Sequence, residues 1–196
     1  MKICFTLDDV LRAKTQQIGT VYKKFVNENT DLENLNIDSP NLAEALELSA
    51  KEYNDFLYKD YPFEVFAEAP VTEKMVDKNF NLWLLKNNVD AIIANPMEFN
   101  TSIGFTCFFL SQIATRVREF YFPADSRTIW DRCDVLVTAY PDLIDFVPDG
   151  KVVVKINTDY NKNNKGDFEY NKLSEILSDD DFLNKISKKL EEKAAW

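Results

Sequence analysis

The sequence predicts an α/β domain whose mostly parallel sheet, of about five strands, is covered by helices on both faces. Short apolar runs, KICFT (2–6), AIIA (91–94), VLVTA (135–139) and VVVKI (152–156), are separated by segments of helix length, the alternation that parallel crossovers require. The chain has 196 residues, 45% of them hydrophobic and 13% aromatic, enough to bury one sizeable core.

The elements follow in order. KICFT (2–6) is short and apolar and stops at polar residues, as a buried strand does. Val10, Leu11, Ile18, Val21, Tyr22 and Phe25 recur at helical spacing, which predicts a helix over 8–26. Residues 27–40 are polar and turn-rich. Leu42, Leu46, Tyr53, Phe56 and Leu57 suggest one or two helices ending near Tyr61 and Pro62. Residues 62–71 read as an irregular return. Thr72 with Glu73 opens a helix carrying Val76, Phe80, Trp83 and Leu84. After the strand 91–94, Thr101 and Ser102 cap a helix too apolar for a surface position. A strand at 117–122, a short helix near 126–132 and the strands 135–139 and 152–156 complete the sheet. A polar loop from 157 leads to two helical stretches, 168–177 and 180–193, the second capped by Ser178. The chain reads as a single domain over 1–196.

Composition removes several chemistries. The chain has no histidine, so imidazole bases, His-dependent nucleophiles and histidine-ligated zinc are absent. The net charge of −10 repels nucleic acid and anionic membrane. Cys4, Cys107 and Cys133 sit in apolar surroundings and read as buried, reduced thiols. No apolar run approaches the ~20 residues of a membrane span, and MKICFTLDD lacks a signal-peptide core. A cytoplasmic protein, or one assembled from cytoplasm, is expected.

In a parallel sheet, ligands gather just past the carboxyl ends of the strands. The residues there are Thr6, Asp8 and Asp9, Asn95, Ala124 and Asp125, Thr138 to Asp142, and Asn157. FTLDDVL followed by a helix, then a helical insertion, then IIAN, VREFYF and CDVLVTAYPDLID resembles the haloacid dehalogenase (HAD) superfamily. It is most similar to the small helical-cap, deoxynucleotidase-like phosphatases. The resemblance implies a Rossmann-like, three-layer domain with residues 20–70 as a helical cap insertion and 157–196 as a C-terminal loop and helices.

The resemblance also assigns positions. In that family the first strand carries an aspartate nucleophile and, two residues on, an acid/base; these places fall on Thr6 and Asp8. The second motif falls on Asn95, the third on Arg127. The magnesium-binding acids fall on Thr138 and Ala139, with Asp142 as a spaced survivor. A threonine hydroxyl is neutral and needs a base, and two lost carboxylates leave too little to bind magnesium. The site Thr6, Asp8, Asn95, Thr138 and Asp142 therefore reads as vestigial, with no catalytic residue, metal or other cofactor, and with Asp8 capping the following helix.

The resulting expectation is a non-enzymatic structural or assembly protein. It would dock on protein partners through the amphipathic stretch 180–196 and the apolar segment 62–71, with neither nucleic acid nor membrane as partner. Asn/Lys/Asp-rich wording suits an AT-rich genome and a bacteriophage virion component. The alternative is a magnesium-dependent phosphatase or 5′-nucleotidase with an altered nucleophile.

Overall fold

The computed structural model describes residues 1–96, 98–99 and 101–195. Six strands, β1 (Lys2–Thr6), β2 (Asp90–Ala94), β3 (Glu119–Tyr121), β4 (Val135–Thr138), β5 (Val152–Ile156) and β6 (Phe168–Tyr170), form one sheet in the order β3-β2-β1-β4-β5-β6. Every pairing is parallel. β1 lies between β2 and β4, with Thr6 opposite Ala94 and Phe5 opposite Val137. The strand order reverses direction at β1, so the loops after β1, β2 and β4 open onto a common crevice.

Helices α1 (Lys14–Phe25), α2 (Ala50–Asp55), α3 (Val76–Asn87), α4 (Thr101–Gln112), α5 (Pro141–Asp145), α6 (Leu173–Ser178) and α7 (Phe182–Ala194) surround the sheet. On one face Ile3, Phe5, Val137 and Val154 pack against Phe80 and Trp83 of α3, Phe109 of α4 and Phe182 and Ile186 of α7. Phe5 meets Phe80 edge-on at 4.9 Å. On the other face Cys4, Ile92, Leu136 and Val153 meet Trp130, from a 3₁₀ turn at Ser126–Arg132, and Leu143 and Ile144 of α5. Each such side chain contributes about 1.5–3 kcal/mol by leaving water. A third cluster joins Ile18, Val21 and Tyr22 of α1 to Leu42, Tyr53, Phe56, Leu57, Val65 and Phe66. The architecture is the Rossmann-like α/β sandwich expected, with one more strand than expected.

That extra strand lies where a helix over 168–177 was predicted. Residues 168–170 instead pair with β5, Val154 opposite Phe168, and the helix begins only at Leu173. At the front, the helix predicted from residue 8 starts at Lys14. The Leu11 and Arg12 amides both turn back to the Leu7 carbonyl, Ala13 N donates to Pro70 O, and Thr72 N donates to Leu11 O. Those bonds hold 7–13 as a tight loop, and the Thr72 hydroxyl donates to Val10 O instead of capping a helix.

Residues 62–71 are irregular only from 68 onward; 63–67 are helical. After α2, whose Ser49 and Glu52 form a reciprocal capping box, come two π-helical turns, Phe56–Asp60 and Phe63–Ala67. The second buries Val65, Phe66 and Ala67, so the apolar residues expected to dock outward are mostly inside. The strand expected over 117–122 is confined to 119–121. Ser178 caps nothing; its hydroxyl donates back to Ser174 O. α7 packs Phe182 and Ile186 into the core, and Trp196 lies outside the described residues.

α4 is apolar on all sides, yet one flank of it is at the surface, with Phe108 46% exposed. Cys4 and Cys133 are buried, whereas Cys107, on that flank, is exposed, contrary to the expectation of three buried thiols. Among the described residues no helix is long and apolar enough to cross a membrane.

Candidate functional site

The loop after β1 turns Asp8 inward. Its side chain is 3% exposed and its Oδ1 accepts from Arg12 Nε at 2.7 Å. Its Oδ2 accepts from Lys14 Nζ at 2.8 Å, Asn95 Nδ2 at 3.0 Å and the Tyr140 hydroxyl at 3.0 Å. Asp8 caps no helix; its own amide donates to Asn95 Oδ1 at 3.3 Å. The tight turn at 7–12 makes this arrangement local, because it brings a side chain four residues on back over the carboxylate.

Arg12 extends the network. Its Nη2 donates to Glu98 Oε1 at 2.6 Å, and its Nη1 donates to Thr106 Oγ1 at 2.7 Å and to the Phe66 carbonyl at 3.1 Å. Its guanidinium lies between the Phe66 and Phe109 rings, 5.5 and 5.6 Å from their centroids. Glu98 Oε1 also accepts from Asn95 Nδ2 and Thr106 Oγ1. Two cations and two anions thus form one buried, neutral cluster in which each charge meets an opposite one, although Glu98 Oε2 has no hydrogen-bond partner of its own among the described residues.

The charges shift one another. Burial alone would raise the Asp8 pKa, but Arg12 and Lys14 outweigh it and hold the carboxyl at about 2. Burial likewise opposes the charged form of Lys14, and Asp8 and Glu98 reverse the effect, raising its pKa. Burial, with Asp8 second, pushes the Tyr140 phenol well up, so it stays protonated and can only donate to an anion.

Thr6 stands apart from the ionic cluster. It is fully buried, and its hydroxyl donates to Thr138 Oγ1 at 3.1 Å, which also accepts from Tyr140 N. Asn95 and Tyr140 join Thr6, Asp8 and Thr138 around the ends of β1, β2 and β4. Two residues assigned to the site do not reach it. Asp142 is exposed in the first turn of α5, and Arg127 is exposed with its guanidinium 4.7 Å from the Phe146 ring. The basic groups of the site are instead Arg12 and Lys14. Sequence reasoning missed them together with Glu98, whereas Tyr140 falls inside the stretch Thr138 to Asp142 placed past the end of its strand. One signal was present for Arg12: an arginine inside the apolar run VLRA, four residues from an aspartate.

Magnesium does not fit these residues. At the two carboxylate positions the metal would need, Thr6 and Thr138 hydrogen-bond to each other, and Asp8 turns both oxygens to side chains that include two cations. A dication would meet the positive charges of Arg12 and Lys14 before it met a free carboxylate. Among the described residues no group of three or more His, Cys, Asp or Glu side chains is placed to hold a metal.

Comparison with known proteins places the fold. No family model matches the chain, and no curated protein matches it. Among solved structures, a haloacid dehalogenase-like family hydrolase from Xanthomonas campestris is similar over 98% of both chains, with a TM-score of 0.55 and 8% identity. One from Burkholderia xenovorans LB400, described as a haloacid dehalogenase-like hydrolase, covers 93% of this chain and 97% of its own, with a TM-score of 0.55 and 12% identity. The architecture is therefore HAD-like from end to end. The expectation of a non-enzyme is corrected on this finding: the solved proteins similar to the chain over nearly its whole length are described as hydrolases.

Proposed function

We propose that the protein is a hydrolase of small phosphate monoesters that uses Arg12 and Lys14, in place of a metal ion, to hold the phosphoryl group. One observation carries the reading. Asp8, at the acid/base place of the fold, sits in a closed shell with two fixed cations and two neutral donors, Asn95 and Tyr140. Phosphoryl transfer asks the protein mainly for position and charge stabilisation, since its transition state is loose.

With a threonine at the nucleophile place, water attacks phosphorus directly; as the ester P–O bond breaks, a proton of that water passes by way of Asp8 to the leaving oxygen, giving the alcohol and inorganic phosphate. Arg12 and Lys14 exchange their carboxylate partners for phosphoryl oxygens, and the protonated Tyr140 donates to one of them. Asp8, its carboxylate freed from the two cations by that exchange, orients the water and takes its proton only in transit to the leaving oxygen. Asp8 is 2% exposed, so the substrate reaches it only when residues 56–67, which lay Phe66 over Arg12 and Lys14, lift as a cap.

The test is hydrolysis of p-nitrophenyl phosphate and of nucleoside monophosphates, with and without chelator. Turnover should survive chelation and fall at least tenfold in Tyr140→Phe and Lys14→Met, in line with the 10²–10³-fold typical of one lost charge-stabilising donor. Turnover that is absent from the unmodified protein, or unchanged in both variants, would overturn the proposal.

A further inference from the structure

Asp8 and Asp9 are neighbours in sequence but face opposite ways. Asp9 adopts a left-handed backbone, φ 59°, a conformation aspartate tolerates better than most residues. This turns its carboxylate away from the ionic cluster and into a separate cavity of about 470 Å³, lined by α1, the loop 32–37 and residues 158–160. That volume lies within the roughly 300–1,000 Å³ range of small-molecule pockets. Asp8, Thr6, Asn95 and Thr138 do not line it.

The cavity has one chemical character. Asp9, Glu33 and Asp159 supply its charge, Leu32, Leu35 and Ile37 an apolar wall, and among the described residues no lysine or arginine lines it. Asp159 is paired at the rim with exposed Lys162, at 2.8 Å. Asp9 is held rather than neutralised. Its carboxylate accepts from Thr15 N at 3.1 Å, the Thr15 hydroxyl, and the Tyr160 hydroxyl at 2.7 Å. All of these donors are uncharged, and with three of its roughly four acceptor positions filled the carboxylate has room for one more donor from the cavity. Burial raises the Asp9 pKa, with the Thr15 bond opposing and Asp8 adding to the rise. An anion is repelled from such a pocket; an organic cation with an aliphatic body satisfies both the carboxylate and the wall.

We infer that this cavity is a second binding site, separate from the Asp8 cluster, for a small aliphatic amine whose ammonium group docks on Asp9 while its chain lies along Leu32, Leu35 and Ile37. The inference does not depend on the hydrolase reading.

Calorimetric titration of the full chain with 1,5-diaminopentane tests it, with 1,5-pentanediol as the uncharged control. One saturable site is expected for the diamine and none for the diol. Asp9→Asn, which keeps the shape of the side chain, should weaken binding about tenfold or more. Gly19→Leu should weaken it as strongly, because a Cβ there already comes within 3.0 Å of Leu32 Cδ2 and the added side chain fills the cavity. Asp180→Asn, on the exposed surface, should leave it unchanged. Amide shifts in the unmodified protein provide a reading independent of whether the variants fold: they should gather at Thr15, Thr20, Leu35 and Tyr160. Weak multi-site binding that is indifferent to Asp9→Asn, equal binding of the diol, or shifts centred elsewhere would overturn the inference.

Discussion

Asp8 shows how one side chain can hold a loop, a helix start and a buried arginine in register. Removing its charge leaves Arg12 and Lys14 without their shared partner in a dry interior, a change that costs about 3–5 kcal/mol when a buried pair is broken. Asp8→Asn should therefore lower Tm by about 10 °C in a chain this long, as read by calorimetry. The same carboxyl sets an acid limit. Its folded pKa of about 2 lies below the ordinary value of 3.8, so its stabilisation is complete above 3.8 and is lost as pH falls through 2. About 2 kcal/mol should disappear across that window, and denaturant titrations at pH 5 and pH 2.5 should show the loss, reduced in Asp8→Asn. At this scale the sequence was partly readable. FTLDD marked Thr6, Asp8 and the end of β1, but which way each acid faces is decided by the φ of Asp9 and by bonds to residues 70–72. Glu98 and Tyr140 reach Arg12 and Asp8 only through the register of β2 and β4 against β1, which no local pattern encodes.

Among the elements, the parallel strands were legible because burial on both faces makes them apolar throughout. β6 was not, since an edge strand of three residues with one exposed flank carries no periodicity of its own. What fixes it is the turn before it. A Cβ on Gly166 would lie 2.7 Å from Phe168 O and 2.9 Å from Lys155 Cβ, so only glycine lets the chain fold back against β5. Gly166→Ala should destabilise by about 1–3 kcal/mol. Gly104, inside α4, has open space where a Cβ would stand, with nothing within 4 Å. It should respond in the opposite sense, with Gly104→Ala stabilising by about 0.4–1 kcal/mol. Urea midpoints of the two variants, measured side by side, check both signs. The second π-helical turn, and the π character of the first, escaped notice for a related reason. Their apolar residues follow no 3.6-residue repeat, and the Phe66 carbonyl that serves Arg12 is positioned by a wider turn.

Across the whole molecule, protection from hydrogen exchange should follow the order of the sheet. Amides of β1 and β4 should exchange only on global unfolding, while those of β3 and β6, each paired on one side, should open first. Equal protection across all six strands would contradict this. The central place of β1 has a further consequence, which concerns synthesis. Both of its neighbours come late: β2 follows after about 84 residues and β4 after about 129. At roughly 5–20 residues per second, the apolar strand KICFT waits on the order of ten seconds, unpaired, for the second edge it needs. No local hairpin can shelter it meanwhile, because every partner is parallel and distant. The nascent chain is therefore most exposed to aggregation before Thr138 has emerged, and its core closes only later, when Phe182 and Ile186 of α7 arrive.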